Sequence, residues 1–115
     1  MALELFDTVN IIEIMENYLD RSRPPEHIRP ELDIGYRIEN QSVILFEIRP
    51  MFLDETKTME SPFAKTTFIR KTNSWKVFWM RADLKWHTYT PNPEVDRLED
   101  FLQLVDRDEY ACFKG

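Results

Sequence analysis

An α+β domain with helices at both ends of the chain and an antiparallel sheet of four to five strands between them is what this sequence predicts. Three observations carry that expectation. Apolar residues near the N-terminus recur with the period of a helix, those from Leu32 onward alternate with the period of a strand, and the helical period returns after Pro93. With 115 residues, 43% hydrophobic content and only two glycines, the chain fits one domain spanning 1–115 rather than a repeat or a disordered tail. A chain of this mass buries roughly two thirds of its unfolded surface, enough to fold without disulfides or a structural metal.

From Leu5 to Arg21, a spacing of 100° per residue gathers Leu5, Ile11, Ile12, Ile14, Met15, Tyr18 and Leu19 on one half of a helical wheel. Asn10, Glu13, Glu16, Asn17, Asp20 and Arg21 take the other half. Pro24 and Pro25 end this helix, since proline lacks the N–H and disfavours helical geometry in the residue before it. Leu32, Ile34, Tyr36 and Ile38 then alternate with Asp33, Gly35, Arg37 and Glu39, the pattern of a half-buried strand. Asn40 and Gln41 offer a tight turn into a second strand, Ser42 to Arg49. Pro50 to Pro62 has no clear period and contains Asp54, Glu55 and Glu60, so an acidic connection is expected there. Phe63 to Arg70 and Trp75 to Arg81 form a second hairpin around Thr72, Asn73 and Ser74, and Leu84 to Tyr89 extends the sheet. Pro91-Asn92-Pro93 is expected to start the last helix, with Asn92 as cap, Pro93 and Glu94 in the first turn, and Val95, Leu98, Phe101, Leu102 and Val105 as its apolar stripe.

The net charge of −6 is unevenly placed. Residues 1–64 carry 6 cations against 13 anions, residues 65–87 carry 6 against 1, and residues 88–115 carry 3 against 7. An acidic protein with a +5 segment is a poor general coat for nucleic acid or membrane, yet a local anion-binding surface fits that segment. Lysines guarding an exposed sheet edge fit it equally. One cysteine, Cys112, points to a reducing compartment, and the short apolar runs contain no signal peptide or spanning segment. A cytoplasmic location with no membrane partner is therefore expected.

Several blocks carry a resemblance in combination: Pro24-Pro25, His27-Ile28-Arg29-Pro30, Leu32-Asp33, Gly35-Tyr36-Arg37-Ile38 and Phe46-Glu47-Ile48-Arg49-Pro50 in the first half, then Trp75-Lys76-Val77 with Trp79, and Asp83-Leu84-Lys85-Trp86-His87 with Tyr89. Over nearly its whole length the chain resembles a bacterial family of small proteins, domain-of-unknown-function family 3024. The resemblance implies no substrate, cofactor or catalytic residue, so function has to be read from the residues.

The densest chemistry lies in Trp75 to His87, which holds all three tryptophans together with Lys76, Arg81, Lys85 and His87. Aromatic faces stack rings while nearby cations meet phosphates, so Trp79, Arg81, Lys85, Trp86 and His87 are the candidate ligand-binding residues, for single-stranded nucleic acid or an anionic ligand. Strand alternation objects in part, because Trp75, Val77 and Trp79 share one face and Phe78 and Met80 the other, and at least one set must be core. A non-enzymatic binding or protein-interaction module, with homodimerisation as one route, is the expected function.

The alternative from another class is a metal-dependent nuclease or phosphodiesterase. Asp33 followed by Glu47-Ile48-Arg49 is similar in spacing to an acid on one strand and an acid-x-lysine triple on the next, which would hold Mg²⁺ and orient water. Arg49 stays charged and cannot act as a base. The tight turn also pairs Asp33 with Ile48 and turns Glu47 to the other face. Asp83-Leu84-Lys85 keeps the lysine but has no upstream partner. His27, His87 and Cys112 lack the spacing of a zinc site, no serine sits in a nucleophile elbow, and no glycine-rich loop cradles phosphate. No cofactor, metal or catalytic residue is assigned.

Overall fold

The computed structural model describes residues 5–114, with side chains from Asp7 onward. Two helices and six strands form in the order α1 (Leu5–Ser22), β1 (Asp33–Glu39), β2 (Ser42–Pro50), β3 (Thr58–Ile69), β4 (Ser74–Met80), β5 (Trp86–Thr88), β6 (Glu94–Val95) and α2 (Leu98–Arg107). The strands make one antiparallel sheet ordered β1-β2-β3-β4-β5, and β6 joins β5 on the outer edge of β4. The expected α+β architecture with a helix at each end is thus observed.

The turn at Asn40 and Gln41 sets the register of the first hairpin, with Asn40 in the left-handed conformation that asparagine tolerates (φ 53°). Asp33 pairs with Ile48, Tyr36 with Leu45 and Glu39 with Ser42, as a two-residue turn requires. Alternation then sorts the side chains. Val43 and Leu45 of β2, Ala64 and Thr66 of β3, and Trp75 and Val77 of β4 are buried on one face.

Both helices cover that face. α1 presents Ile11, Met15 and Tyr18, and α2 presents Leu98, Phe101, Leu102 and Val105, all buried. Each such side chain taken fully from water stabilises the fold by about 1.5–3 kcal/mol. The Tyr18 hydroxyl donates to Asp106 Oδ1 at 2.8 Å and ties the helices together. Thr66 Oγ1, also buried, donates to the Lys76 carbonyl at 2.8 Å, which satisfies its hydroxyl. Ile12, placed by the helical wheel in the apolar half, is 41% exposed, because a helix on a sheet buries a stripe and Ile12 lies one step of 100° beyond it. Leu5, from the same set, has a side chain outside the described residues.

Two further expectations are corrected. Residues 58–62 are strand rather than connection: Pro50 pairs with Thr58 and Phe46 with Pro62, leaving a loop of residues 51–57. This part of the β2–β3 hairpin extends past β4, and its side chains are exposed or only half-buried, so no alternation marks it. Pro62 is accommodated beside a bulge at the Leu45/Phe46 step, where the missing N–H does least harm. Glu94 and Val95 are also strand, paired with Lys76 and Trp75, and α2 begins only at Leu98. Its first turn is held by Asp100, whose carboxylate accepts the Arg97 backbone N–H at 3.2 Å, and neither Asn92 nor Pro93 caps it.

After α2, Asp108 is left-handed (φ 41°) and its carboxylate accepts the N–H groups of Phe113 and Lys114 at 2.9 Å. The chain folds back, and Phe113 packs on Tyr89 with ring centroids 4.7 Å apart.

Candidate functional site

Among the described residues no helix covers the second face of the sheet. Reading across the strands, one row holds Arg37, Ile44, Lys65, Phe78 and Thr88; next to it Phe46 stands between Gly35 and Pro62, and Met80 pairs with Trp86. Ile44 is nonetheless only 4% exposed and Phe46 only 6%. Arg37 and Lys65 stand directly across from Ile44 on either side, and long cationic side chains shield apolar neighbours with their stems while the charge stays at the surface.

The two cations differ in what holds their charge. Arg37 lies over the Phe46 ring at 5.3 Å and pairs with Glu60 at 2.9 Å and Glu39 at 3.0 Å. Lys65 Nζ sits 5.3 Å from the Phe78 centroid and 5.5 Å from the Trp86 centroid, and among the described residues no carboxylate forms an ion pair with it. A half-buried ammonium between two aromatic rings gains cation–π attraction and keeps its donors for another acceptor. Beside it, β5 and β6 leave a gap on the edge of β4. That gap is a cleft of about 270 Å³ lined by Lys76, Val77, Phe78, Thr88, Pro93 and Glu94.

Of the five residues predicted as a ligand site, the structure brings Trp79, Arg81 and His87 together and sets Lys85 and Trp86 apart. Trp79 pairs with His87 on the helix-covered side, where Arg81 lies over the Trp79 ring at 5.4 Å. His87 Nε2 is 2.9 Å from Asp83 Oδ2. The His87 contact, helped by the Lys85 backbone N–H at 3.0 Å, holds the Asp83 carboxyl below the usual carboxylate range. Trp86 pairs with Met80 and faces the open side, while Lys85 projects from the exposed turn between β4 and β5. Trp75 is core, packed against Phe68 at 5.1 Å. The +5 segment is thus divided between two faces and two turns, and no single basic stripe results.

Sequence reasoning missed Lys65 and Phe78 as companions of Trp86. The pairing of Lys65 with Phe78 follows from the β3–β4 register, which runs from Ile69–Ser74 at the turn, so that link was available from counting outward. The pairing of Trp86 beside them was not, because the β4–β5 turn contains a left-handed Leu84 (φ 62°) that no local pattern announces.

The arrangement needed by the nuclease alternative is not formed. Asp33 and Glu47 are offset by one residue across β1 and β2, so their side chains leave opposite faces. Asp33 is clasped by Arg23, whose Nε and Nη2 both donate to it, and this contact holds its carboxyl below the usual range. Glu47 is 3.4 Å from Arg49. Among the described residues no group of three or more histidine, cysteine or acidic side chains is placed to hold a metal. Burial pushes the Cys112 thiol up, away from the thiolate a nucleophile needs. No helix among the described residues is long and apolar enough to cross a membrane.

Comparison with known proteins agrees with the resemblance seen in the sequence. The family model described as a domain of unknown function, DUF3024, matches residues 3–115, and the chain belongs to that family. No curated protein and no solved structure matches it.

Proposed function

We propose that this chain is a non-enzymatic binding module that takes a planar, anion-bearing ligand on the open face of its sheet. The observation that carries the proposal is Lys65, an ammonium held between Phe78 and Trp86 without a carboxylate of its own. A ring stacked on Trp86 or seated in the cleft beside Phe78 would bring its anionic group to Lys65, the combination that a nucleotide base and its phosphate provide. A site centred on Lys65 in a protein of net charge −6 favours a short ligand over a long polyanion. Cys112 as the lone cysteine suits a reducing, cytoplasmic setting.

The test is quenching of tryptophan emission on titration with free mononucleotides and, separately, with short single-stranded oligonucleotides. The two arms distinguish a small ligand from a polymer with the same chemistry. Quenching should be lost in Lys65→Ala and Trp86→Ala and kept in Lys85→Ala. For the oligonucleotide, the plot of log affinity against log salt should have a slope magnitude near roughly 0.7, as expected for one phosphate contact. No quenching by either probe at low salt would reject the proposal, as would equal loss in Lys85→Ala.

A further inference from the structure

The cleft on the edge of β4 has polar groups that the Lys65 site does not use. Lys76 and Phe78 alternate with buried Val77 and so point to the open face, and their cross-strand partners, Glu94 of β6 and Thr88 of β5, stand on that face too. These four residues line the cleft together with Val77 and Pro93. Lys76 and Glu94 have opposite charges and occupy paired positions, yet among the described residues they form no ion pair with each other or with any other group. Thr88 likewise makes no side-chain hydrogen bond among the described residues. A free ammonium, a free carboxylate and a free hydroxyl therefore adjoin the apolar surfaces of Val77, Phe78 and Pro93.

Their position fixes which part of a ligand they meet. Lys65 lies across from Phe78 on β3, whereas Glu94 lies on the other flank of β4. Two strand spacings, about 10 Å, separate those flanks. A mononucleotide whose phosphate reaches Lys65 thus lays its ring beside Phe78 and turns the edge of its base toward Lys76 and Glu94. The cleft, at about 270 Å³, falls just below the ~300–1,000 Å³ of drug-sized sites, which suits one base rather than a stacked pair.

We propose that this cleft selects guanine among the bases, an inference that rests on Lys65 being the anion-binding group of a nucleotide site. An ionised carboxylate only accepts hydrogen bonds and an ammonium only donates them. Side by side, Glu94 and Lys76 complement a base edge that sets two adjacent donors next to an acceptor. Guanine presents that order, its exocyclic amino group and N1–H facing Glu94 and its O6 facing Lys76, and lysine on the guanine O6 is a common specific contact. Adenine reverses it, turning an amino group toward Lys76 and the N1 lone pair toward Glu94. Cytosine fails in the same way, and uracil offers Glu94 a single N–H between two carbonyls. The Thr88 hydroxyl adapts to whichever partner the base brings, since it donates or accepts.

Isothermal titration calorimetry of the full chain with guanosine monophosphate and adenosine monophosphate tests the selection, since the two purines differ only along that edge. The guanine nucleotide should bind tighter by about tenfold or more. Glu94→Gln, whose amide donates as well as accepts, should erase that preference without changing the melting temperature, because Glu94 is an exposed position. Lys76→Ala should reduce the preference, whereas Lys65→Ala should weaken both nucleotides alike and keep their ratio. Equal affinity for the two purines, or a preference that survives Glu94→Gln, would overturn the selection and leave the Lys65 site standing. Failure of both nucleotides to bind would reject the nucleotide site and the selection with it.

Discussion

The two faces of the sheet keep apolar residues from water in different ways. On one, Val43, Leu45 and Val77 lie beneath Met15, Tyr18, Phe101 and Val105 of the helices, so shielding comes from a second layer distant in sequence. On the other, Ile44 and Phe46 are shielded within the sheet, by Arg37 and Lys65 on the flanking strands. The difference teaches what each face is free to do. A layered face is committed to stability, whereas a face roofed by cations leaves charges at the surface where a ligand meets them.

If the layered face carries the stability, its mutations should dominate. Phe101→Ala removes a fully buried ring beneath α2 and should cost about 3–5 kcal/mol, measured by denaturant unfolding. A loss below that of any open-face substitution would break the comparison. Gly35→Ala probes the open face: an added Cβ would sit 2.9 Å from Phe46 Cε1 and 3.0 Å from Cζ, so the ring must shift under Arg37. A loss of about 1–2 kcal/mol is expected, as for an overpacked site. No loss would mean that Phe46 is not held against the strand.

The clasp between the end of α1 and the start of β1 is worth less and has a pH signature. Arg23 lowers the Asp33 pKa in the folded protein, so this contribution is present above the unfolded value of about 3.9 and is lost as pH falls through the folded value. Solvent around Arg23 screens it to no more than about 1 kcal/mol. Asp33→Asn should lower stability more at pH 7 than at pH 2, read from melting curves at both. An equal loss at the two would assign the effect to packing instead. Ile12→Ser should be smallest, within about 0.5 kcal/mol, since the side chain faces water on α1. A loss as large as that of a buried position would show that the exposed side of α1 is covered in solution.

Tyr36 links the layers differently. Burial and its contact with Glu16 of α1 push its hydroxyl pKa up to about 12, so the phenol stays neutral and able to donate well above neutral pH.

What the sequence determined by itself was whatever depends on near neighbours. The 3.6-residue period of Ile11, Met15 and Tyr18, the alternation from Leu32, and the Asn40-Gln41 turn with its Asp33–Ile48 register all follow from backbone geometry over a few residues. Counting outward from that turn is also enough to put Asp33 and Glu47 on opposite faces. Only the tertiary structure decided the rest. Residues 58–62 became strand because β2 continued beside them, and Glu94–Val95 because the edge of β4 at Trp75 and Lys76 had backbone groups to satisfy. Which sheet face the helices chose placed Trp75 in the core and left Trp86 with Lys65, 21 residues away, on the open side. Hydrophobic period reports burial on one face, and it falls silent where neither face is layered or where the partner is a strand far along the chain.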